Sequence, residues 1–200
     1  MKTAIITLIC VALASCATSI NKKNVSLHAQ AAQNAIQKND WNTARRHWAK
    51  ATKNAELANE PEKKLAVFYY EYGRSLGVTC FYEEAELYLD KAKNMDARTN
   101  GPVFLSLVEL ARLNLDQKKY QSAKKYFEEV FPILDSLNMK DKSPMEYSFL
   151  LDEYSDVLLE SGETEAALEK KQQAKNIREN NQKRFSITER TMYGSQCSNK

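Results

Sequence analysis

Small and aromatic side chains recur at fixed intervals along the chain and predict packed helices. Three segments share an aromatic residue, an alanine three positions later, an aromatic or leucine four positions on, and a small apolar residue three further: WNTARRHWAKA (41–51), YEEAELYLDKA (82–92) and YQSAKKYFEEV (120–130). A weaker copy, TEAALEKKQQA, covers 164–174. Spacings of 3, 4 and 3 place these side chains on one stripe of an α-helix. The small alanine predicts a close crossing with a second helix.

A second amphipathic helix is expected upstream of each copy. Its apolar or aromatic residues lie three apart with a small residue directly after, as in Leu107, Leu110 and Ala111. Proline is tolerated in the first turn of a helix. Three prolines fall where these upstream helices should begin, at positions 61, 102 and 144. The pattern therefore predicts about eight helices in four antiparallel pairs.

The paired pattern resembles the tetratricopeptide repeat (TPR), a helix-turn-helix with the signature W-x2-L-G-x2-Y, A-x3-F and P. The resemblance covers about residues 25–181 and is clearest around Leu107 to Val130. The central alanines recur about every 40 residues, whereas the family period is about 34. The resemblance implies an all-α fold, an α-solenoid of about four TPR-like helix pairs with a slightly longer repeat. Pro132 lies inside one predicted helix and should kink or end it.

The first sixteen residues have the features of an export signal. Lys2 precedes an apolar run from residue 4 to residue 13, which is too short to span a bilayer. Ala12-Leu13-Ala14 fits ordinary signal peptidase, whereas Leu13-Ala14-Ser15-Cys16 resembles the bacterial lipobox. We favour the lipobox, with residues 1–15 as a lipoprotein signal peptide. Cys16 is then the lipid-attachment site, and residues 16–24 are a flexible, lipidated tether.

The resemblance to bacterial lipoproteins implies an address in the cell envelope. Because no aspartate follows Cys16, a Gram-negative cell would place the protein in the outer membrane facing the periplasm. A Gram-positive cell would place it on its cell membrane, held by the lipid anchor. The sequence leaves the cell type open. Apart from the covalent lipid on Cys16, which would carry acyl chains such as palmitate, no cofactor is expected.

Two further cysteines, Cys80 and Cys197, remain after the signal peptide is removed. They could pair in an oxidising compartment, but connectivity cannot be read from sequence. For that reason we favour two separate thiols; Cys80 lies near a predicted helix end and Cys197 in a polar tail. That tail, residues 182–200, has no helical period and is expected to be loosely ordered.

Composition and motifs argue against several function classes. The net charge is +3, and lysines and glutamates are interleaved without a basic stripe, so we expect no nucleic-acid binding. No phosphate-loop, serine-hydrolase or zinc-protease motif is present. His28 and His47 lack a metal-ligand partner at suitable spacing. Adjacent acids such as Asp152 and Glu153 diverge on a helix and should lie on solvated faces. We therefore expect neither an enzyme nor a metal site.

In TPR proteins the first helix of each repeat lines a concave groove. The resemblance implies that Val67, Leu105 and Leu159 are among the residues that face this groove. The implied partner-binding residues are Tyr70, Arg74, Val108, Arg112, Phe149 and Asp156. Arg74 and Arg112 occupy the same position of adjacent repeats, where two guanidinium groups would suit a carboxylate or an acidic peptide. Alternatively, each arginine pairs with a nearby glutamate, such as Glu71 or Glu109, and binds nothing.

These features predict a membrane-anchored scaffold or assembly factor that binds an envelope protein or peptide in its groove. The alternative is a structural or self-assembling envelope protein, with an enzyme the least favoured class. The polar last helix, KKQQAKNIREN, is typical of a cap and argues against end-to-end stacking. Partner identity and oligomeric state stay open.

Overall fold

The computed structural model describes residues 2–181 and 190–197, with side chains from residue 18 onward. All regular structure in this part of the chain is helical. The nine helices of this part are α1 (Lys2–Gln37), α2 (Trp41–Leu57), α3 (Glu62–Val78), α4 (Tyr82–Thr99), α5 (Val103–Asp116), α6 (Tyr120–Ser136), α7 (Met139–Lys142), α8 (Pro144–Glu160) and α9 (Thr164–Asn180). The chain forms two compact units. Unit 1 comprises Met1–Gly101 and Gln196–Lys200, and unit 2 comprises Pro102–Ser195.

Helix pairs form both units, as the sequence pattern predicts. In unit 1, α1 packs on α2 and α3 packs on α4; in unit 2, α5 packs on α6 and α8 packs on α9. The repeated alanines are buried in these pairs, at positions 44, 85, 123 and 167. Small side chains at these positions let the helix backbones approach closely. The predicted all-α helical-repeat architecture is therefore confirmed.

Prolines mark the first helix of three pairs. α3 begins directly after Pro61, α5 directly after Pro102, and α8 at Pro144 itself. Pro132 lies within α6, which continues to Ser136, so the helix does not end at this proline. The short helix α7 follows in the connection to α8 and helps to account for the long spacing between the last two alanines.

Left-handed residues close the helices, and most of them are not glycine. Asn39, Asn59 and Asn100 have φ between 50° and 55°, a conformation that asparagine tolerates better than most residues. The next residue donates its N–H to a carbonyl five positions back, as in Asp40 to Ala35, Glu60 to Ala55, Phe81 to Leu76, Gly101 to Asp96, Lys119 to Asn114 and Glu163 to Leu158. This is the Schellman arrangement. It satisfies helix-end carbonyls in a chain that has only five glycines.

Each unit has its own apolar core. In unit 1, the Trp48 and Phe68 rings lie 6.2 Å apart between centroids and pack with alanines of α1 and α2. In unit 2, the rings of Phe127, Phe131 and Tyr154 stack on one another, with centroids 5.3 to 6.2 Å apart. The repeated aromatics therefore fill the space beside the close helix crossings.

The segment expected to be a flexible tether is helical, because α1 runs without a break from residue 2 to residue 37. At the end of this segment, the side-chain amide of Asn24 donates to Oδ1 of Asn54 at 3.3 Å. The next residue, Val25, is buried in unit 1. The Cys16 side chain lies outside the described residues, so its lipidation stays a prediction. No helix in the described part of the chain combines the length and apolarity needed to cross a membrane.

The expectation of a loosely ordered tail is wrong for residues 190–197. Tyr193 is 7% exposed, and Cys197 is disulfide-bonded to Cys80. The absence of a helical period excluded a helix, but it did not exclude a non-helical segment held by side chains. Residues 182–189 and 198–200 lie outside the described part of the chain.

Gly73 provides a test of the close crossing between α3 and α4. A Cβ added there would lie 2.9 Å from Cγ of Leu89 and 3.1 Å from its backbone nitrogen. In an open helix, Gly→Ala stabilises by about 0.5–1 kcal/mol. We expect Gly73→Ala instead to lower the free energy of unfolding by about 1–3 kcal/mol, because the crossing would be overpacked. Both tryptophans, Trp41 and Trp48, lie in unit 1, so urea unfolding followed by tryptophan fluorescence measures the effect. An increase in stability would contradict a tight crossing.

Candidate partner-binding site

In unit 1, two predicted groove residues lie on α3 and contact each other. The guanidinium carbon of Arg74 lies 5.6 Å from the ring centroids of both Tyr70 and Trp41. Its Nη1 atom lies 3.4 Å from Oε2 of Glu71. Arg74 therefore forms the ion pair with Glu71 that the alternative interpretation foresaw, and it stacks on aromatic faces as guanidinium groups favour.

In unit 2, the predicted residues lie on α5 and α8 and differ in exposure. Val108 is buried, Phe149 is half-buried and Asp156 is exposed. The Arg112 side chain is only 18% exposed; its Nε lies 2.8 Å from Oε2 of Glu153, and its Nη1 lies 3.4 Å from Oε1 of Glu109. Arg112 thus links α5 to α8. Because Arg74 and Arg112 belong to different units, their joint binding of one ligand stays a prediction.

The C-terminal segment adds contacts that the sequence analysis missed. Nη1 and Nη2 of Arg190 donate to the two carboxylate oxygens of Asp116 at 2.7 Å each, and Nε donates to Oε1 of Glu153 at 2.7 Å. The backbone N–H of Tyr193 donates to Oδ2 of Asp116 at 2.8 Å, and its hydroxyl donates to Oε2 of Glu109 at 2.6 Å. Three carboxylates of α5 and α8 therefore hold a non-helical piece of the same chain. We call Glu109, Asp116 and Glu153 the carboxylate cluster.

Charge pairing compensates for burial in this cluster. Burial acts to lower the pKa of Arg112, but the charges of Glu153 and Glu109 outweigh it and raise the pKa above the ordinary value. Burial also acts to lower the pKa of Arg190, but the hydrogen bond to Asp116 and the charge of Glu153 outweigh it and raise the pKa above the ordinary value. Both guanidinium groups therefore stay charged beside the carboxylates. The expectation that Glu153 lies on a solvated face is wrong, because Arg112 of α5 and Arg190 of the C-terminal segment both contact it.

Within unit 1, a disulfide holds the last described residue of the chain. Cys80 and Cys197 are bonded, with Cα atoms 5.2 Å apart across 117 positions of sequence. Next to the disulfide, the Gln196 side chain accepts from the backbone N–H of Trp41 at 3.0 Å and donates to the backbone carbonyl of Asn39 at 2.6 Å. The favoured interpretation of two separate thiols was wrong. The available signal was the presence of two cysteines in a chain with an export sequence.

The two histidines lie together in unit 1. The Nδ1 atoms of His28 and His47 are 3.2 Å apart. Burial, followed by the neighbouring charge of His47, lowers the pKa of His28. Among the described side chains, those of residues 18–181 and 190–197, no group of three or more histidine, cysteine or acidic residues is placed to hold a metal ion.

Comparison with known proteins identifies the fold through solved structures. No family model matches the sequence, and a comparison with curated proteins finds no match. BtubC (BKLC) from P. vanneervenii matches with a TM-score of 0.73 and 18% identity over 83% of this chain and 67% of that chain. A putative kinesin light chain from Podosopora anserina, with nearly identical TPR-like repeats, matches with a TM-score of 0.63 and 17% identity. That match covers 86% of this chain and 87% of the other. The chain described here has a TPR-like fold.

Truncating Arg112 tests whether its ion pairs are structural. Arg112→Ala leaves Glu109 and Glu153 without this partner in a largely buried cluster, so we expect the free energy of unfolding to fall by about 2–4 kcal/mol. The matched control is Lys175→Ala on α9, because Lys175 and its partner Glu179 are both more than half exposed. That change should cost less than about 1 kcal/mol. Urea unfolding followed by far-UV circular dichroism compares the variants, and equally small effects would contradict a structural role for Arg112.

Proposed function

We propose that this protein is a membrane-tethered scaffold that binds a protein or peptide of the cell envelope. The observation that carries the proposal is the surface formed by α5 and α8. These are the first helices of two pairs, and their side chains hold the non-helical segment 190–195. A face that holds one non-helical segment by side-chain contacts has the chemistry to hold another. TPR-like folds use first helices in this way, and that family analogy adds support.

Exposed apolar side chains also lie on first helices in each unit. Val67 on α3, Leu105 on α5 and Leu159 on α8 are 55%, 38% and 53% exposed. They are three of the positions that the family resemblance assigns to the groove. Exposed apolar residues beside polar and charged groups suit a protein interface, where burial in a complex removes them from water.

The disulfide supports export. Disulfides persist in oxidising compartments and are rare in the cytosol. The Cys80–Cys197 bond therefore agrees with the export signal and the lipobox-like sequence before Cys16. A lipid anchor would confine the scaffold to one membrane surface, so that modest affinity for a co-localised partner would suffice.

Replacing Cys16 tests the anchor. In the native bacterial host, we expect wild-type protein to sediment with membranes and to incorporate an alkyne-labelled palmitate. Cys16→Ser removes the acceptor thiol, so this variant should lose the label and leave the membrane fraction. Cys10→Ser is the matched control, because Cys10 lies within the apolar run and should not be acylated. Retention of Cys16→Ser protein on membranes together with its label would contradict the anchor.

Photocrosslinking tests the binding face. A photoreactive amino acid at Leu105 or Leu159 should yield crosslinks to a distinct envelope protein, identified by mass spectrometry. The matched control is Leu168 on α9, which is 64% exposed but lies on a second helix. It should give at least fivefold less of the same product. Equal yields from all three positions would contradict a specific face, and crosslinks only between copies of this chain would favour self-assembly.

A further inference from the structure

We infer that the carboxylate cluster of α5 and α8 recognises peptide segments in which an arginine is followed three residues later by a tyrosine. Residues Arg190–Tyr193 are then its resident intramolecular ligand. The inference rests on the proposed function, because it specifies the chemistry of the partner that the scaffold binds. A partner segment of this kind would replace the chain's own segment in the site.

The arginine subsite is built for a guanidinium group. Asp116 binds Nη1 and Nη2 of Arg190 in a bidentate pair, while Glu153 binds Nε from the other helix. The Asp116 side chain is only 3% exposed. With the segment in place, this carboxylate is therefore almost fully covered by protein atoms. A lysine ammonium is a compact point charge and cannot fill this planar three-donor arrangement. The subsite therefore discriminates between arginine and lysine.

The tyrosine subsite sets the spacing of the motif. Oδ2 of Asp116 accepts from Arg190 and also from the backbone N–H of Tyr193, so one carboxylate contacts both ends of the motif. The Tyr193 ring is buried, and its hydroxyl donates to Glu109. Phenylalanine would fill the same space without supplying that donor. Because loss of a donor to a buried charged acceptor is costly, the subsite favours tyrosine.

Arg112 holds the two subsites in register. Its guanidinium group binds Glu109 on its own helix and Glu153 on α8, so each of these glutamates presents its other oxygen to the segment. The cluster supplies three carboxylates against the one charge of Arg112. Without the segment it would carry a net negative charge. That charge favours a cationic ligand over the acidic peptide that the two-arginine hypothesis suggested.

The test uses the full chain with its own ligand removed. In the Arg190→Ala, Tyr193→Ala double variant, we expect a fluorescein-labelled peptide TERTMYGS, the sequence of residues 188–195, to bind saturably in fluorescence anisotropy. Wild-type protein should bind it at least tenfold more weakly, because the intramolecular segment competes at high effective concentration. Peptides with lysine for the arginine, or phenylalanine for the tyrosine, should bind the double variant at least fivefold more weakly.

Matched carboxylate variants locate the site. Adding Glu153→Gln to the double variant should reduce peptide affinity at least tenfold, whereas adding Glu129→Gln, an exposed acid on α6, should leave it unchanged. Circular dichroism establishes that each variant is folded. A folded double variant that does not bind the peptide, or that binds all three peptides equally, overturns the inference.

A measurement on wild-type protein covers the case in which the double variant unfolds. Excess peptide should displace the resident segment and increase hydrogen exchange at the Tyr193 amide, which donates to Asp116. Unchanged exchange at millimolar peptide would overturn the inference. The scaffold proposal would then still be tested independently by the Leu105 and Leu159 crosslinks. Crosslinks without peptide binding would leave a scaffold with a different ligand chemistry, whereas peptide binding without crosslinks would leave a peptide site without the proposed envelope role.

Discussion

The close crossing of paired helices at small side chains is the constraint on which the structure depends. Ala85 and Gly73 face each other where α3 meets α4, and buried alanines occupy the crossings of the other pairs. Because the backbones approach so closely, the large aromatic side chains must pack beside the crossing. The crossing therefore fixes the rotation of each helix. That rotation determines which residues of α5 and α8 form the carboxylate cluster.

Features that repeat along the chain could be predicted from sequence. The buried alanines and the helix starts at the prolines follow from local geometry, since helix periodicity and proline stereochemistry act within a few residues. The helix ends were harder to place. Asparagine, cysteine and lysine take the left-handed positions that glycine would ordinarily mark. The flexible conformation expected for the tether was wrong for a different reason, because its polar residues were interpreted as coil although α1 continues through them.

The candidate site depended on contacts between distant residues and could not be predicted in the same way. Arg190 lies 74 positions from Asp116, and Cys197 lies 117 positions from Cys80. No periodic pattern connects these pairs. Glu153 shows why a single helix considered alone does not predict such contacts. Its helical position indicates a solvated face when α8 is considered alone, but Arg112 and Arg190 both reach it in the folded unit.

Burial of Asp116 connects the structural and recognition roles of the C-terminal segment. A carboxylate that is nearly excluded from water is costly unless a cation and hydrogen-bond donors compensate it. Arg190 and the Tyr193 amide supply that compensation here. The same cost would apply to any replacement ligand, because a segment without the guanidinium would leave Asp116 and Glu153 without its donors. Discrimination of this kind comes from the penalty for unpaired buried groups more than from the strength of the correct contacts. A segment that stabilises unit 2 therefore also defines what its surface can accept.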